Sequence, residues 1–95
     1  MALARKGSRT IVVEEVVYRW VVSEDGYMEL VVEHEATPGQ RLVAQVGFVG
    51  GDPITPRVVR RAVMLGLQEG WSPTVGGLAH YRLADAEARL WGEGA

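Results

Sequence analysis

Apolar and polar side chains alternate along residues 27–35 and 41–49, and residues 10–22 are dense in β-branched and aromatic side chains. Successive side chains of a strand point to opposite faces of a sheet, so a period of two is typical of strands with one buried face. Turn signals at residues 23–26 and 36–40 separate the three stretches. The pattern predicts three consecutive antiparallel strands joined by hairpins.

The buried faces also restrict how these strands pair. Leu30 and Ala44 share the predicted core face only if the numbers of paired residues sum to an even value, which favours hairpin loops of three or five residues. A two-residue turn at Asp25-Gly26 would give an odd sum and place Arg19 in the core, so we exclude that register. The predicted core-facing residues of these two strands are Met28, Leu30, Val32 and His34, and Leu42, Ala44, Val46 and Phe48.

The first stretch, residues 10–22, is long for a strand, and Glu14-Glu15 inside it marks either a bulge or the real start. It is apolar on both faces, and one helix can cover only one of them. We expect the other face to be covered by Leu90 and Trp91, by a second copy of the chain, or by another protein. The two predicted sets are Ile11, Val13, Val17 and Val21 against Val12, Val16, Tyr18, Trp20 and Val22.

One helix follows the predicted sheet. Thr55 is the expected N-cap and Pro56 fits the first helical position, where its missing N–H is harmless. Gly70 is placed to end the helix in the left-handed conformation, with Trp71 folding back on the last turn. The stripe predicted to lie on the sheet is Val59, Ala62, Val63, Gly66 and Leu67, with Val58 and Leu65 at its margin.

A fourth strand is predicted at residues 78–83, parallel to its neighbour through a right-handed crossover. Residues 85–95 are predicted to form a short C-terminal helix with Asp85 as N-cap. The expected architecture is α+β in the order βββαβ: a three-stranded meander, one covering helix and a fourth strand. We expect residues 1–8 to be a flexible basic tail and residues 9–95 to be a single domain.

The chain has no cysteine, which excludes disulfides, thiolate metal sites and a cysteine nucleophile. Without a signal-peptide h-region or a run of about 18 apolar residues, it is expected to be cytoplasmic and not embedded in a membrane. Ten Lys and Arg against twelve Asp and Glu give a net charge of −2. Nucleic-acid binders are usually basic, so nucleic acid is a disfavoured partner.

No catalytic residue, metal ligand or cofactor site is predicted. Glu33, His34 and Glu35 resemble a ligand cluster, but alternation sends His34 to the face opposite both glutamates. His80 stands alone with no nucleophile near it in the sequence. Neither glycine pair is followed by the residues of a phosphate-binding loop.

Arg57, Arg60 and Arg61 are the most suggestive candidates for binding. Three cations in the first turns of a helix oppose the helix dipole and so gain nothing locally. They form either a solvated face balanced by an acid such as Asp52, or a site for an anion or an acidic partner. In the second case the tail would contribute Arg5, Lys6 and Arg9.

Residues 18–20, YRW, and residues 54–73, ITPRVVRRAVMLGLQEGWSP, resemble small uncharacterised bacterial proteins in which a short antiparallel sheet leads into an ITP-started helix ending in GW-P. The resemblance covers residues 18–81. It implies the βββαβ order and brings no activity, partner or site residue with it.

These observations favour a non-enzymatic interaction domain that binds a protein partner or forms a homodimer. Two alternatives stay open. One is an anion or nucleic-acid binder that uses Arg57, Arg60 and Arg61. The other is a small enzyme whose pocket brings His34 or His80 together with carboxylates.

Overall fold

The structure is a computed structural model, which describes residues 7–25, 27–48 and 54–91. One sheet is formed by the described strands, in the order β1-β2-β3-β4-β5, with β4 and β5 parallel and the other neighbours antiparallel. The predicted α+β class is confirmed. The elements are β1 Arg9–Val13, β2 Val16–Asp25, β3 Tyr27–His34, β4 Leu42–Phe48, α1 Pro56–Glu69, β5 Tyr81–Arg82 and α2 Ala86–Trp91.

The observed order, ββββαβα, differs from the predicted βββαβ at its first strand. Residues 10–22 are not one strand, because Glu14 and Glu15 form a tight turn with φ of 50° and 68°. Val13 pairs with Val16 directly across that turn. The glutamate pair is therefore a hairpin turn and not a bulge, and the longer strand β2 starts directly after it at Val16.

This turn changes the faces of the first strand. Because two residues separate Val13 from Val16, Val13 lies on the same face as Tyr18, and Val12 lies opposite that face beside Val17. The prediction that Val12 shares a face with Tyr18 is wrong. The core-side apolar residues of β1 and β2 are Ile11, Val13, Val16, Tyr18, Trp20 and Val22.

Most pairs of the next strands have the predicted even sums, but a register shift between Tyr27 and Glu29 pairs Tyr27 with Phe48, which is an odd sum. The β2–β3 loop is shorter than the predicted three or five residues, because Asp25 pairs with Tyr27.

Arg19 pairs with Glu33 in the β2–β3 hairpin, and Leu30 pairs with Ala44 in the β3–β4 hairpin. Leu30 and Ala44 are both fully buried. Arg19 lies outside the core, whereas a two-residue turn at Asp25-Gly26 would have placed it inside.

Helix α1 has the predicted ends. The Thr55 side chain accepts a hydrogen bond from the amide of Val58 at 3.4 Å. Gly70 has φ of 112°, and the amide of Trp71 donates to the carbonyl of Gly66 at 2.9 Å. Trp71 is buried, as expected. Leu67 is not, because it is 37% exposed, and Val58 at the predicted margin is buried instead.

The two C-terminal elements are shorter than their predicted stretches. Strand β5 keeps only Tyr81–Arg82 of the predicted residues 78–83, but it is parallel to β4 as expected. Asp85 precedes α2 with φ of 51°. Leu90 of α2 is buried in the core, on the same side of the sheet as α1. Trp91 packs against the same core, so the alternative in which Leu90 and Trp91 cover the second face is wrong.

The core lies between α1 and one face of the sheet; the opposite face is called the outer face below. Residues 1–6 of the predicted tail, and Asp52, lie outside the described residues. Within the described ranges, no helix combines the length and the apolar character that a membrane span requires.

Candidate interaction surface

Valine side chains occupy two cross-strand rows of the outer face. In one row Val12 of β1 pairs with Val17 of β2, and these side chains are 57% and 40% exposed. In the other row Val31 of β3 lies between Val21 and Val43. Val43 is buried, whereas Val21 and Val31 are half-buried. Directly paired β-branched side chains such as Val12 and Val17 form a continuous apolar patch.

A charged row lies between the two valine rows. The guanidinium of Arg19 makes two parallel bonds to Glu35, with Nε to Oε2 at 2.6 Å and Nη2 to Oε1 at 3.0 Å. Its Nη1 also donates to the hydroxyl of Ser8 at 3.0 Å. The hydrogen bond to Glu35 raises the pKa of Arg19. This arrangement holds the Arg19 side chain flat against the sheet.

Two further ion pairs lie on the described part of the outer face. Glu33 is 2% exposed, and its Oε2 accepts from Nε of Arg41 at 3.3 Å. Nη1 of Arg82 lies 3.7 Å from Oε2 of Glu29. The described ion pairs of this face are Arg19–Glu35, Arg41–Glu33 and Arg82–Glu29, and within each pair the charges cancel. Paired charges beside an apolar patch suit the binding of a protein surface better than the binding of a polyanion.

The three predicted binding arginines are on α1, but they do not act alike. Arg57 and Arg60 are exposed, and the first turn of α1 contains no acidic residue. Arg61 is half-buried, and its Nε donates to the carbonyl oxygen of Arg89 at 2.7 Å. Arg61 therefore ties α1 to α2. The Arg9 guanidinium lies 5.9 Å from the centre of the Trp20 ring, and Arg5 and Lys6 lie outside the described residues.

Neither histidine is brought to a cluster of carboxylates. Nδ1 of His34 accepts from the amide of Thr37 at 2.9 Å, and its ring meets the ring of Tyr18 at 5.9 Å between centroids. The neighbouring glutamates, Glu33 and Glu35, pair with arginines on the outer face. Over the described ranges, no three His, Asp or Glu side chains come together as metal ligands.

Two clefts lined by described residues bear on the enzyme alternative. One of about 560 Å³ lies where β4, β5 and the start of α2 meet, and includes Arg82, Asp85 and Glu87. The other, of about 310 Å³, lies beside Arg9 and Trp20. Neither is lined by a histidine, so the pocket expected of a small enzyme is not found at these two places.

The Val12–Val17 pair was not predicted, because treating residues 10–22 as one strand separates these side chains onto opposite faces. The available signal was the Glu14-Glu15 dipeptide, whose charge interrupts an otherwise apolar stretch. Comparison with protein-family models, with curated proteins and with solved structures finds no match to this chain.

Proposed function

We propose that this chain is a non-enzymatic protein-interaction domain that binds its partner through the outer face. The observation that carries the proposal is the exposed Val12–Val17 pair on a face whose charged side chains pair with one another. Apolar side chains this exposed gain free energy when a partner removes them from water, by about 25 cal/mol for each Å² of apolar area buried.

The ion pairs support the same function. A partner that covers Arg19 and Glu35 meets a pair already linked by two hydrogen bonds, with side chains only partly exposed. Most of the desolvation and side-chain ordering has therefore taken place before binding. Such a preorganised surface of paired charges favours a protein over a nucleic acid or a small anion.

The arginines of α1 support the alternative less well. Arg61 is committed to the carbonyl of Arg89, which leaves Arg57 and Arg60 as the exposed cations of the predicted set. Two exposed arginines on a chain of net charge −2 make a weak polyanion site. The outer face is therefore the surface on which the proposal depends.

Site-specific photo-cross-linking in the native host tests the proposal. A photoreactive amino acid at Val17, on the outer face, is compared with the same group at Val75, which is 48% exposed in the loop after α1. We expect a discrete adduct from Val17 and none from Val75. The mass of the adduct shows whether the partner is a second copy or a different protein.

A matched pair of variants provides the control. With the photoreactive group at Val12, Val17→Glu should abolish the adduct because it places an unpaired charge beside the probe, and Val75→Glu should leave it unchanged. Equal adducts from Val17 and Val75, or no adduct from Val17, would contradict the proposal.

A further inference from the structure

Strand β1 is an edge of the sheet with backbone groups available for a further strand. Val13 and Val16 flank a two-residue turn and so form a hydrogen-bonded pair, which makes Val12 and Thr10 the positions whose N–H and C=O point away from β2. The amide of Glu35 donates to the carbonyl of Val17, confirming that the backbone of Val17 is turned toward β3. Within the described ranges, no backbone group bonds to Thr10 or Val12.

Among the described residues, the β1 edge has neither a proline nor a bulge to hinder the addition of a strand. Its sequence, RTIVV, contains neither proline nor glycine, and its pairing with β2 runs without a bulge. The opposite edge differs, because β5 has only two residues and α2 packs beside β4 there. Natural sheets shield edges with short strands, bulges or covering elements. Strand β1 has no bulge, and no other strand in the described part of the chain pairs with its outer edge.

Charges at the two ends of β1 select the direction of an added strand. Arg9 begins the strand, and Glu14 and Glu15 follow its end. When a second β1 pairs antiparallel, Arg9 of each copy lies next to the Glu14–Glu15 turn of the other. Parallel pairing would place like charges together, so the strand is complementary to itself only in the antiparallel direction.

We propose that this domain also pairs with a second copy, joined through antiparallel pairing of the two β1 strands about a two-fold axis at Ile11. This inference goes beyond the proposed function, because a dimer through the β1 edge leaves the outer face open for the partner proposed above. All five residues of β1 are then paired, and Thr10 lies opposite the partner's Val12. The two sheets become one continuous sheet, with the Val12–Val17 patches of both copies side by side on its outer face.

The pairing also limits the assembly to two chains. The same edge is used by both copies, so the interface is isologous and closes on itself. Growth from the far edge is blocked by the shortness of β5 and by α2. The result is a dimer, not a filament.

Light scattering after size-exclusion chromatography across the micromolar range tests the inference. We expect twice the 10.4 kDa mass of one chain. Thr10→Pro removes an N–H that the second copy would use, so it should abolish the dimer. The monomer should still fold, because β2 does not use this N–H and an edge strand tolerates proline at such a position. The matched variant Thr10→Val keeps that N–H and should leave the dimer intact.

Charge reversal tests the alignment. Arg9→Glu alone, or Glu14→Lys with Glu15→Lys, should weaken the dimer by about tenfold because like charges then meet. Combining all three substitutions should restore it. The circular dichroism of each dilute variant shows that the chain is folded.

The outcomes separate this inference from the proposed function. A monomer throughout, with a cross-link from Val17 to a different protein, overturns the dimer and leaves the interaction domain standing. A dimer that survives Thr10→Pro overturns pairing through β1, and failure of the triple variant to recover overturns the antiparallel alignment.

Discussion

Glu14 and Glu15 occupy the two central positions of the β1–β2 turn with positive φ. Such turns favour Asn and Gly, because a side chain with a Cβ is crowded in the left-handed region. Two consecutive glutamates there are locally unfavourable, which is why the dipeptide was not recognised as a turn. Their two negative charges lie at the end of β1, where the proposed dimer places them beside Arg9 of the second copy.

Replacing this dipeptide should stabilise the fold. Glu14→Asn with Glu15→Gly relieves the crowding at both positions, and we expect the free energy of unfolding of the dilute monomer to rise by about 1 kcal/mol. Urea denaturation measures the change. Glu14→Gln with Glu15→Gln removes the charge but still places a side chain with a Cβ at two positions of positive φ. This double variant should therefore leave stability nearly unchanged. Equal effects from both double variants would show that charge, not backbone conformation, is responsible.

At the scale of elements, the accuracy of the predictions follows the range of the interactions that form each element. Helix α1 was predicted to its ends because Thr55 and Gly70 are local signals. Strand β5 was predicted too long because its length depends on distant contacts. The carbonyl of Ala79, inside the predicted strand, accepts from Nε2 of Gln40 and not from a strand partner. No local pattern reports such a contact.

Gln40 belongs to a junction between the β3–β4 loop and the segment after α1. Its carbonyl accepts from Nε1 of Trp71 at 2.7 Å, and its side-chain oxygen accepts from the amide of Ser72 at 2.8 Å. The adjacent amide of Gly39 donates to the carbonyl of Pro73 at 2.9 Å. These bonds hold the two loops in backbone contact and so position the chain that enters β5.

Gly39→Ala should destabilise the domain. A Cβ at this position would lie 2.8 Å from the carbonyl oxygen of Pro73 and closer still to backbone atoms of Thr74 and Val75, so the loops would have to separate. We expect a loss of about 1–3 kcal/mol in urea denaturation. Gly76→Ala is the control, because its Cβ would meet nothing within 4 Å. Similar losses for both variants would contradict the close approach.

At the scale of the molecule, the core was largely predictable and the outer face was not. Alternation in β3 and β4 identified Leu30, Val32, Leu42 and Ala44 as core residues, and all four are fully buried. The composition of the outer face depends on the Glu14-Glu15 turn. Because this turn has two residues, Val12 lies beside Val17. The ion pair between Arg19 and Glu35 crosses between strands, so no spacing within either strand announces it.

The buried Tyr18 links this architecture to pH. Its ring packs against Trp71 at 5.6 Å between centroids and meets the edge of His34. Desolvation by burial raises the pKa of its phenol above the ordinary 10.0, and the nearby carboxylate of Glu14 raises it further. The folded chain therefore holds this proton more tightly than the unfolded chain does.

Stability should consequently fall in alkaline solution. The contribution of Tyr18 is fully present below pH 10, where the phenol of the unfolded chain is protonated, and is lost as the pH rises toward the higher pKa of the folded chain. Tyr18→Phe keeps the ring in the core and removes the ionisation. Urea denaturation from neutral pH upward measures the free energy of unfolding. We expect it to decline less steeply with pH for this variant than for the parent chain. If the free energy of unfolding declined equally with pH in both chains, the loss of stability in alkaline solution would come from another titrating group and not from Tyr18.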